Sequence, residues 1–229
     1  VAPHAREIAK SEKANCAFLE GGPERPQGKN EIANPDAIRA VEEPRRSRIF
    51  FMPQDSLILS ASGLERALTR IAHEIAERND DSREGVCVVG VQRGGVHLAD
   101  RLAKLLGGIW KVSIPIGHLD VSMHRDDLDR RAAPDVHPTS ILFDCEGKTI
   151  VLVDDVLFSG RTIRAAMDAL SGFGRPRRIQ LATLVDRGHR ELPIKPDFVG
   201  KNIPTARDER IDVRLVEQGG NDEVYLQRI

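Results

Sequence analysis

Residues 151–170 read VLVDDVLFSGRTIRAAMDAL. The apolar, β-branched start of this stretch is typical of a buried strand, and it ends in two adjacent acids, Asp154 and Asp155. The turn SGRT (159–162) follows and leads into a segment with helical character. This order predicts a strand–turn–helix unit, in which the acidic pair and the turn lie at the carboxyl end of the strand.

Strand-like and helix-like segments alternate on both sides of this unit. The apolar runs GVCVVGV (85–91) and RRIQLATLVD (177–186) predict buried strands, and residues 62–79 and 94–106 carry helical spacing. Such alternation is typical of βαβ units, whose strands run parallel. The sequence therefore predicts an α/β fold with a parallel, Rossmann-like sheet flanked by helices.

The first helix has a sharp pattern of its own. Leu64, Leu68, Ile71 and Ile75 form one apolar stripe, with steps of four, three and four residues. Ser62 is the predicted N-cap, with Glu65 three residues on as its capping-box partner. Residues 124–147 are polar and turn-rich, which predicts a long loop with a short hairpin.

The ends of the chain differ in composition. Residues 1–51 are rich in Pro, Gly, Asn and mixed charge, and lack a sustained apolar period, so we predict a disordered N-terminal extension before a folded domain at 52–229. Met52 is the first methionine, which suggests that translation starts there. No apolar run is long enough to span a membrane, and the first residues do not resemble a secretory signal.

Charge and cysteine content exclude further classes of protein. The chain has 40% hydrophobic and 30% charged residues, as a globular protein does. A net charge of −1 argues against nonspecific coating of nucleic acid. The three cysteines, Cys16, Cys87 and Cys145, contain no CxxC spacing, which argues against structural zinc and suits a reducing cytoplasm.

The SGRT turn that follows Asp154 and Asp155 indicates a particular class of ligand. A Ser/Gly/Thr turn that opens a helix presents backbone N–H groups and the positive end of the helix dipole, which together bind phosphate. Asp154 and Asp155 stand just before it, as partners for sugar hydroxyls or a hydrated Mg²⁺. The Walker A and GxGxxG patterns are absent. A sugar phosphate would use both the turn and the two acids. The alternative is that these residues form only an exposed acidic turn beside a capped helix and bind no ligand.

VLVDDVLFSGRT closely resembles the phosphoribosyl pyrophosphate (PRPP) motif of type I phosphoribosyltransferases. LTRIAHEIAERN, HRDDL and GRPRRIQLATLVDRGHRELPIKPDFVGKNIPT narrow the resemblance to the PyrR family of bifunctional pyrimidine-operon attenuators and uracil phosphoribosyltransferases. The resemblance covers Leu57 to Ile229. It implies a type I phosphoribosyltransferase fold with a small hood subdomain, in a cytoplasmic homodimer or higher homo-oligomer.

The resemblance also implies a reaction, in which uracil and PRPP give UMP and pyrophosphate with Mg²⁺ held mainly by PRPP. Asp154 and Asp155 would hold the ribose hydroxyls, with Asp155 and waters near the metal, and Arg125 in HRDDL would lie on a mobile loop that closes over pyrophosphate. The residues implied to bind PRPP or UMP are Arg93, Gly94, Val156, Leu157, Phe158, Ser159, Gly160, Arg161, Thr162 and Arg187.

Each of these assignments has its own context in the sequence. Gly94 and Gly95 match the pyrophosphate loop of the family, where small residues let backbone amides approach an anion. Arg93 departs from the family, which often has Thr there, and His124 stands where relatives often have Tyr. Arg187 would help form the hood over uracil; the alternative is a surface charge paired with Asp186.

A second implied function is binding of pyrimidine-operon leader RNA. Arg66, Arg70 and His73 step along the first helix opposite its apolar stripe, a pattern that by itself also fits a solvated face. In the PyrR family this helix, with the GHR and GKN segments, forms a basic RNA face that reads a single-stranded loop and responds to UMP. The implied RNA-binding residues are Thr69, Arg70, His73, Arg78, His189, Arg190 and Lys201.

Three functions therefore stay open at the level of sequence. The first is a uracil phosphoribosyltransferase that also regulates transcription by UMP-responsive attenuation. The second is an RNA-binding attenuator whose nucleotide site senses UMP and has weak catalysis. The third is a phosphoribosyltransferase with purine specificity, against which the hood sequence argues.

Overall fold

The computed structural model describes residues 55–124 and 137–228. The helices are α1 (Ala61–Arg78), α2 (Gly95–Trp110) and α3 (Arg161–Leu170). The strands are β1 (Ser56–Leu59), β2 (Val86–Val91), β3 (Ile116–Leu119), β4 (Thr149–Leu157), β5 (Arg178–Asp186), β6 (Phe198–Asn202), β7 (Glu209–Arg214) and β8 (Glu223–Arg228). The predicted N-terminal extension, the start at Met52 and Arg125 all lie outside the described residues.

The predicted parallel sheet is confirmed. It has five strands in the order β3-β2-β4-β5-β6, and every neighbouring pair is parallel. Leu157 at the end of β4 pairs with Asp186 at the end of β5, so the two strands finish at one edge. The polar turns that follow β2, β4 and β5 are thereby brought to the same edge of the sheet, as expected for an α/β fold.

Helices cover both faces of this sheet. The predicted stripe of α1, which runs from Leu64 to Ile75, is buried in a core that it shares with α2. The residues of β2 alternate between this core and a second core under α3, with Val88 in the first and Cys87 in the second. Burial raises the pKa of the Cys87 thiol to about 11, so Cys87 is a core residue rather than a reactive thiol.

The predicted cap of α1 is wrong by two residues. The helix begins at Ala61, and Ser60 is its N-cap, with an extended backbone and a hydroxyl that accepts from the amide of Gly63 at 3.4 Å. Ser62 lies inside the first turn, where its hydroxyl is 3.3 Å from that of Ser60. Ser60 belongs to the same residue type that favours N-caps, and its extended backbone, unlike the helical position of Ser62, allows it to cap the helix.

A second sheet was not predicted from the sequence. It has three antiparallel strands in the order β1-β8-β7 and therefore joins the two ends of the described chain. Ile211 and Val224 point into the core that contains α1 and α2. Arg210, at the start of β7, is near enough to Asp155 to exert a lowering effect on its pKa, which places this sheet beside the carboxyl end of β4.

No helix in the two described ranges is both long enough and apolar enough to cross a membrane.

The small sheet is tied to α2 by one arginine. Arg101 is 19% exposed and donates two hydrogen bonds to each of two carboxylates, those of Glu217 and Asp222, between β7 and β8. The hydrogen bonds from Arg101 hold the pKa values of both acids below their usual range.

We expect Arg101→Met to lower the free energy of unfolding by about 2 kcal/mol at pH 7, since charged hydrogen bonds of this kind contribute about 1.5–3 kcal/mol. Because the two pKa values are lowered in the folded state, this stability is present above the unfolded-state pKa values of Glu217 and Asp222 and is lost as the pH falls through the folded-state values. Urea unfolding at neutral and acidic pH measures both effects. Arg214→Met, at an exposed ion pair on the same sheet, is the matched control with a smaller effect; equal stability of Arg101→Met and wild type at pH 7 would contradict the prediction.

Candidate active site

The acidic pair lies at the carboxyl end of β4, and the backbone orients both carboxylates. Asp154 is 7% exposed, and its carboxylate accepts a hydrogen bond from the amide of Asp155 at 3.0 Å. The carboxylate of Asp155 accepts from the amide of Val156 at 2.7 Å. Burial raises the pKa of Asp155, against the lowering effect of the hydrogen bonds from Val156 and Asp154. The pair is thus two adjacent carboxyl groups whose orientation is set by the backbone.

A glycine loop, residues 92–95, joins β2 to α2 and packs directly against the acidic pair. A methyl group built on Gly94 would lie 2.0 Å from the Asp155 carboxylate, and one on Gly95 would lie 2.1 Å from the carbonyl oxygen of Val153. The Gln92–Arg93 peptide bond is cis. The predicted role of the glycines as residues of close approach is therefore matched by contacts that leave no room for a side chain.

These two glycines give a matched pair of substitutions. Gly94→Ala would force the Asp155 carboxylate out of its hydrogen-bonded position. We therefore expect the variant to fold but to lose about 100-fold in turnover, the scale of a misplacement of about 1 Å. Gly95→Ala meets the backbone of β4, and we expect it to lose about 1–3 kcal/mol of stability instead, as overpacking does. Thermal unfolding and steady-state kinetics on both variants separate the two effects; the reverse pattern would show that the glycine loop is oriented differently.

The predicted phosphate cradle, the turn at 159–162, is part of a segment that runs from the last residue of β4 into α3 and is here called the phosphate loop (residues 157–162). Gly160 has a φ of +90°, a conformation that favours glycine, and α3 begins at the next residue. The hydroxyl of Ser159 lies 3.4 Å from the amide of Arg161 and accepts from it. The loop thus places the positive N-terminal end of α3 beside the acidic pair, which is the arrangement expected of an anion site.

The hood segment, residues 187–194, follows β5 and lies against the phosphate loop. Arg187 is 8% exposed, and its guanidinium lies 4.2 Å above the centre of the Phe158 ring. It donates to the hydroxyl of Thr205 at 3.0 Å and to the carbonyl oxygen of Ala206 at 3.1 Å. Burial lowers the pKa of Arg187. The alternative of a surface charge paired with Asp186 is therefore wrong, since Asp186 binds Arg190 instead.

Most of the residues predicted to bind PRPP or UMP are brought to one edge of the sheet. The acidic pair lies near the carboxyl end of β4, and the glycine loop, the phosphate loop and Arg187 follow at the ends of β2, β4 and β5. Arg93 is exposed beside them. Arg125, which lies outside the described residues, stays a prediction.

Three residues near this edge were missed by sequence reasoning. Thr205 and Ala206 orient Arg187 from 18 and 19 residues away. Asp120 accepts from the amide and hydroxyl of Ser122 at 2.8 and 2.7 Å, and from the amide of His137 at 2.7 Å. Burial acts to raise the pKa of Asp120, but these hydrogen bonds outweigh it and the pKa is lowered. The Asp-x-Ser spacing at 120–122 is a local signal of such a turn.

Four of the residues predicted to bind RNA lie along α1 and the edge strand β6. Arg70 donates to the carbonyl oxygens of Val199 and Gly200 at 2.9 and 2.7 Å. Arg78 binds Asp197 at 2.7 Å, and Lys201 donates to the carbonyl oxygen of Ile58 at 3.0 Å. His73 is exposed on the same helix. Arg70, Arg78 and Lys201 thus also fasten α1 and β1 to the edge of the sheet.

Of the other three, Thr69 also lies on α1 but faces α2, whereas His189 and Arg190 belong to the hood segment. Thr69 donates to the backbone of Glu65 at 2.9 Å and lines a groove of about 440 Å³ between α1 and α2. His189 contacts the backbone of Thr205 and lies edge-on to the Phe158 ring, with 6.0 Å between the ring centres. Arg190 is bound to the phosphate loop. The predicted RNA set therefore divides between a helical surface and the candidate active site.

The fold and this site define a phosphoribosyltransferase, and comparison with known proteins agrees. The phosphoribosyl transferase domain family matches residues 58–218. Among solved structures, a hypoxanthine-guanine phosphoribosyltransferase from Bacillus anthracis has a TM-score of 0.57 at 19% identity, covering 76% of this chain and 98% of that one. The hypoxanthine phosphoribosyltransferase of Trypanosoma cruzi has a TM-score of 0.58 at 16% identity, covering 76% and 96%. At these identities the structures establish the fold alone.

Sequence relatives narrow the family. The bifunctional protein PyrR of Roseiflexus sp. (strain RS-1) is 61% identical over 173 residues, which is 75% of this chain and 94% of the relative. The bifunctional protein PyrR of Chloroflexus aurantiacus is 55% identical over 178 residues, 77% of this chain and 97% of the relative. The chain belongs to the PyrR family of phosphoribosyltransferases, as its motifs predicted.

Proposed function

We propose that the chain transfers a phosphoribosyl group from PRPP to uracil, giving UMP and pyrophosphate. One observation carries the proposal. The acidic pair stands in contact with the glycine loop on one side, with a methyl on Gly94 falling 2.0 Å from Asp155, and runs directly into the phosphate loop on the other. A ribose 5-phosphate with a pyrophosphate at its first carbon has groups for all three elements.

The proposed mechanism uses positioning and electrostatics, and needs no nucleophile from the protein. The phosphate loop anchors the 5′-phosphate at the N-terminus of α3, and Asp154 and Asp155 accept from the ribose hydroxyls. As the bond between C1 of the ribose and pyrophosphate breaks, positive charge develops on the ribose ring beside these two carboxylates, while the backbone of the glycine loop faces the departing anion. N1 of uracil forms the new bond to C1 and gives up its proton to pyrophosphate or to water. Fixed charges of this kind lower the barrier because they are oriented before the reaction begins.

Mg²⁺ is part of this proposal as the cation that neutralises pyrophosphate. No cluster of three or more His, Cys, Asp or Glu that could hold a metal occurs in the described ranges. The donors present fit Mg²⁺ nonetheless, because Mg²⁺ binds through one or two carboxylates together with substrate phosphates and water. Asp155, whose pKa is raised by burial, is the carboxylate that a nearby cation would stabilise most.

Uracil is the proposed base because of the hood segment. Uracil presents carbonyl oxygens, which accept hydrogen bonds, and Arg187 is a buried donor whose orientation is fixed by Thr205 and Ala206. Arg187 lies over the ring of Phe158, which is 39% exposed at the start of the phosphate loop. A planar, acceptor-rich base suits both features.

The test is product formation from PRPP and Mg²⁺ with uracil, orotate, hypoxanthine, guanine and adenine in parallel. We expect UMP from uracil and no product from the other bases. Purine nucleotides would favour the purine alternative. Folded protein that makes no product but still binds UMP would instead favour an attenuator with a sensing site.

Binding of pyrimidine-operon leader RNA is a second proposed function, and the surface of α1 favours it. Arg70, His73 and Arg78 recur along the exposed side of this helix, and Lys201 adds a charge from the neighbouring strand. Arg70 and Arg78 are half-exposed in ion pairs with Glu74 and Asp197, so this face carries both donors and acidic partners. Its cationic donors suit the backbone of a single-stranded RNA loop. We propose further that the protein acts as a homodimer or larger homo-oligomer, which analytical ultracentrifugation tests.

His73→Ala is the sharpest probe of this surface because His73 is exposed and is not one of the residues that fasten α1 to β6. We expect about a tenfold loss of affinity for the transcript just upstream of the chain's own gene, which is the scale of one good RNA contact. Transferase activity should be unchanged. Arg83→Ala, at an exposed position after α1, is the control. Filter binding with and without UMP measures the effect, and equal binding by both variants would remove His73 from the RNA face.

A further inference from the structure

Arg190, one of the predicted RNA contacts, is 22% exposed in its side chain and is surrounded by acceptors. One terminal nitrogen donates to the carbonyl oxygens of Phe158 at 2.8 Å and Gly188 at 3.2 Å. The other binds the carboxylate of Asp186 at 2.6 Å, and Nε donates to the carbonyl oxygen of Ile194 at 3.0 Å. The guanidinium thus joins the end of β5, both ends of the hood segment and the phosphate loop.

The contacts to the phosphate loop form a series. The carbonyl oxygen of Leu157 accepts from the amide of Arg187 at 3.1 Å and lies 3.4 Å from Arg190. The next carbonyl, of Phe158, accepts from Arg190, and the carbonyl of Ser159 accepts from the amides of Glu191 and Leu192 at 3.0 and 3.2 Å. Three consecutive carbonyl groups of the loop therefore point at the hood segment.

This orientation matters for an anion. In a trans peptide the N–H group points away from the carbonyl of the same plane. With the carbonyls of Leu157, Phe158 and Ser159 held by the hood segment, the amides of Phe158, Ser159 and Gly160 are turned to the opposite side. Successive amides with a common direction, at the N-terminus of a helix, form an anion-binding concavity.

We propose that Arg190 is a positioning residue for the 5′-phosphate, which acts through the loop backbone. This rests on the proposed function, since it assigns a phosphate to the loop. Asp186 supports the arrangement by fixing the guanidinium from the far side. The planar fork of arginine is required, because a lysine ammonium in this position could keep the charge but could not bond the same acceptors in three directions.

The experiment compares UMP with uridine, which differ only in the phosphate, on wild type, Arg190→Gln and Arg190→Lys by NMR titration. We expect Arg190→Gln to weaken UMP binding by about tenfold, the scale of one lost charge-assisted contact, while uridine binding stays at the wild-type level. The UMP affinity of Arg190→Lys should lie between those of wild type and Arg190→Gln. Arg214→Gln, an arginine with ion pairs on the small sheet, is the control and should bind both ligands as wild type does.

Other outcomes overturn the assignment in distinguishable ways. Unchanged UMP affinity with loss of RNA binding would make Arg190 the RNA contact that the sequence predicts. An equal loss for UMP and uridine would assign it a general structural role, and if Arg190→Gln does not fold, the same comparison on Arg190→Lys decides. Wild-type protein that binds UMP no better than uridine would instead refute the phosphate site, and with it both this inference and the proposed function.

Discussion

Asp155→Asn should lower kcat/KM for UMP synthesis by a factor of about 100 or more, the size of effect seen when one preorganised charge at a transition state is removed. The substitution keeps the shape of the side chain and its bond from the amide of Val156, so the site's geometry is retained. What is lost is the negative charge beside the ribose. Steady-state assays with PRPP and uracil measure the loss, and near-wild-type turnover would refute the assignment of Asp155.

The same substitution should stabilise the protein without ligand. Burial raises the folded-state pKa of Asp155, so the folded protein holds this proton more tightly than the unfolded chain does. Stability is therefore lost as the pH rises from the unfolded-state pKa through the folded-state pKa. At neutral pH the partly buried carboxylate of Asp155 is a cost to folding that a neutral Asn does not carry.

Thermal unfolding at neutral and acidic pH tests this prediction. We expect the variant to melt a few degrees higher at pH 7, since about 1 kcal/mol shifts the melting temperature by about 2–4 °C in a chain of this size. The difference should shrink as the pH falls and the wild-type carboxyl becomes protonated. Asp81→Asn, at an exposed position, is the control. A lower melting temperature at pH 7 together with lost activity would mean that the substitution damages the site rather than discharging it.

A carboxylate that lowers stability but is needed for activity leaves a pattern that can be recognised in the sequence. An apolar strand that ends in Asp154 and Asp155 is costly for a protein that only needs to fold, so the pattern itself indicates function. The glycine pair at 94–95 and the turn at 159–162 are also local signals, because each reports a backbone conformation or a close approach within a few residues. The five-stranded parallel sheet followed from the same local alternation of strands and helices.

The features that the sequence left unpredicted depend on contacts between distant residues. The antiparallel sheet joins β1 to β8, which are separated by nearly the whole described chain, and its short strands lack a strong alternating pattern. Arg101 meets Glu217 at a separation of 116 residues, and Arg190 meets Phe158 at 32. For charged residues such as these, sequence patterns distinguish poorly between a surface contact and a buried hydrogen-bond centre, because both use the same residue type.

Arg187 is the case in which that distinction has the largest functional consequence. It is one of the few buried charged residues in the described part of the chain, and burial lowers its pKa, so the fold bears a cost to keep a guanidinium over Phe158. Guanidinium has five N–H donors, and the hydrogen bonds to Thr205 and Ala206 use two of its nitrogens. The remaining donors are the ones that we propose for the carbonyl oxygens of uracil.

We therefore expect Arg187→Met to raise the KM for uracil by a factor of about 10–100. The reason is that a bound polar group that loses its hydrogen bond to the site binds more weakly by about 1–3 kcal/mol. The KM for PRPP should stay near the wild-type value, because the phosphate loop keeps its bonds from Arg190 and from the amides of Glu191 and Leu192.

Two comparisons isolate the hydrogen bonds of Arg187 from its packing. Phe158→Leu removes the stacked ring but keeps the guanidinium, and should raise the KM for uracil less than Arg187→Met does. Arg187→Lys keeps the charge without the planar fork and should be nearly as poor as Met, because the base requires donors in fixed directions and not merely a positive charge. Equal KM values for uracil in wild type and Arg187→Met would show that Arg187 only holds the hood segment in place through its hydrogen bond to Thr205. The backbone of the hood segment would then have to recognise the base.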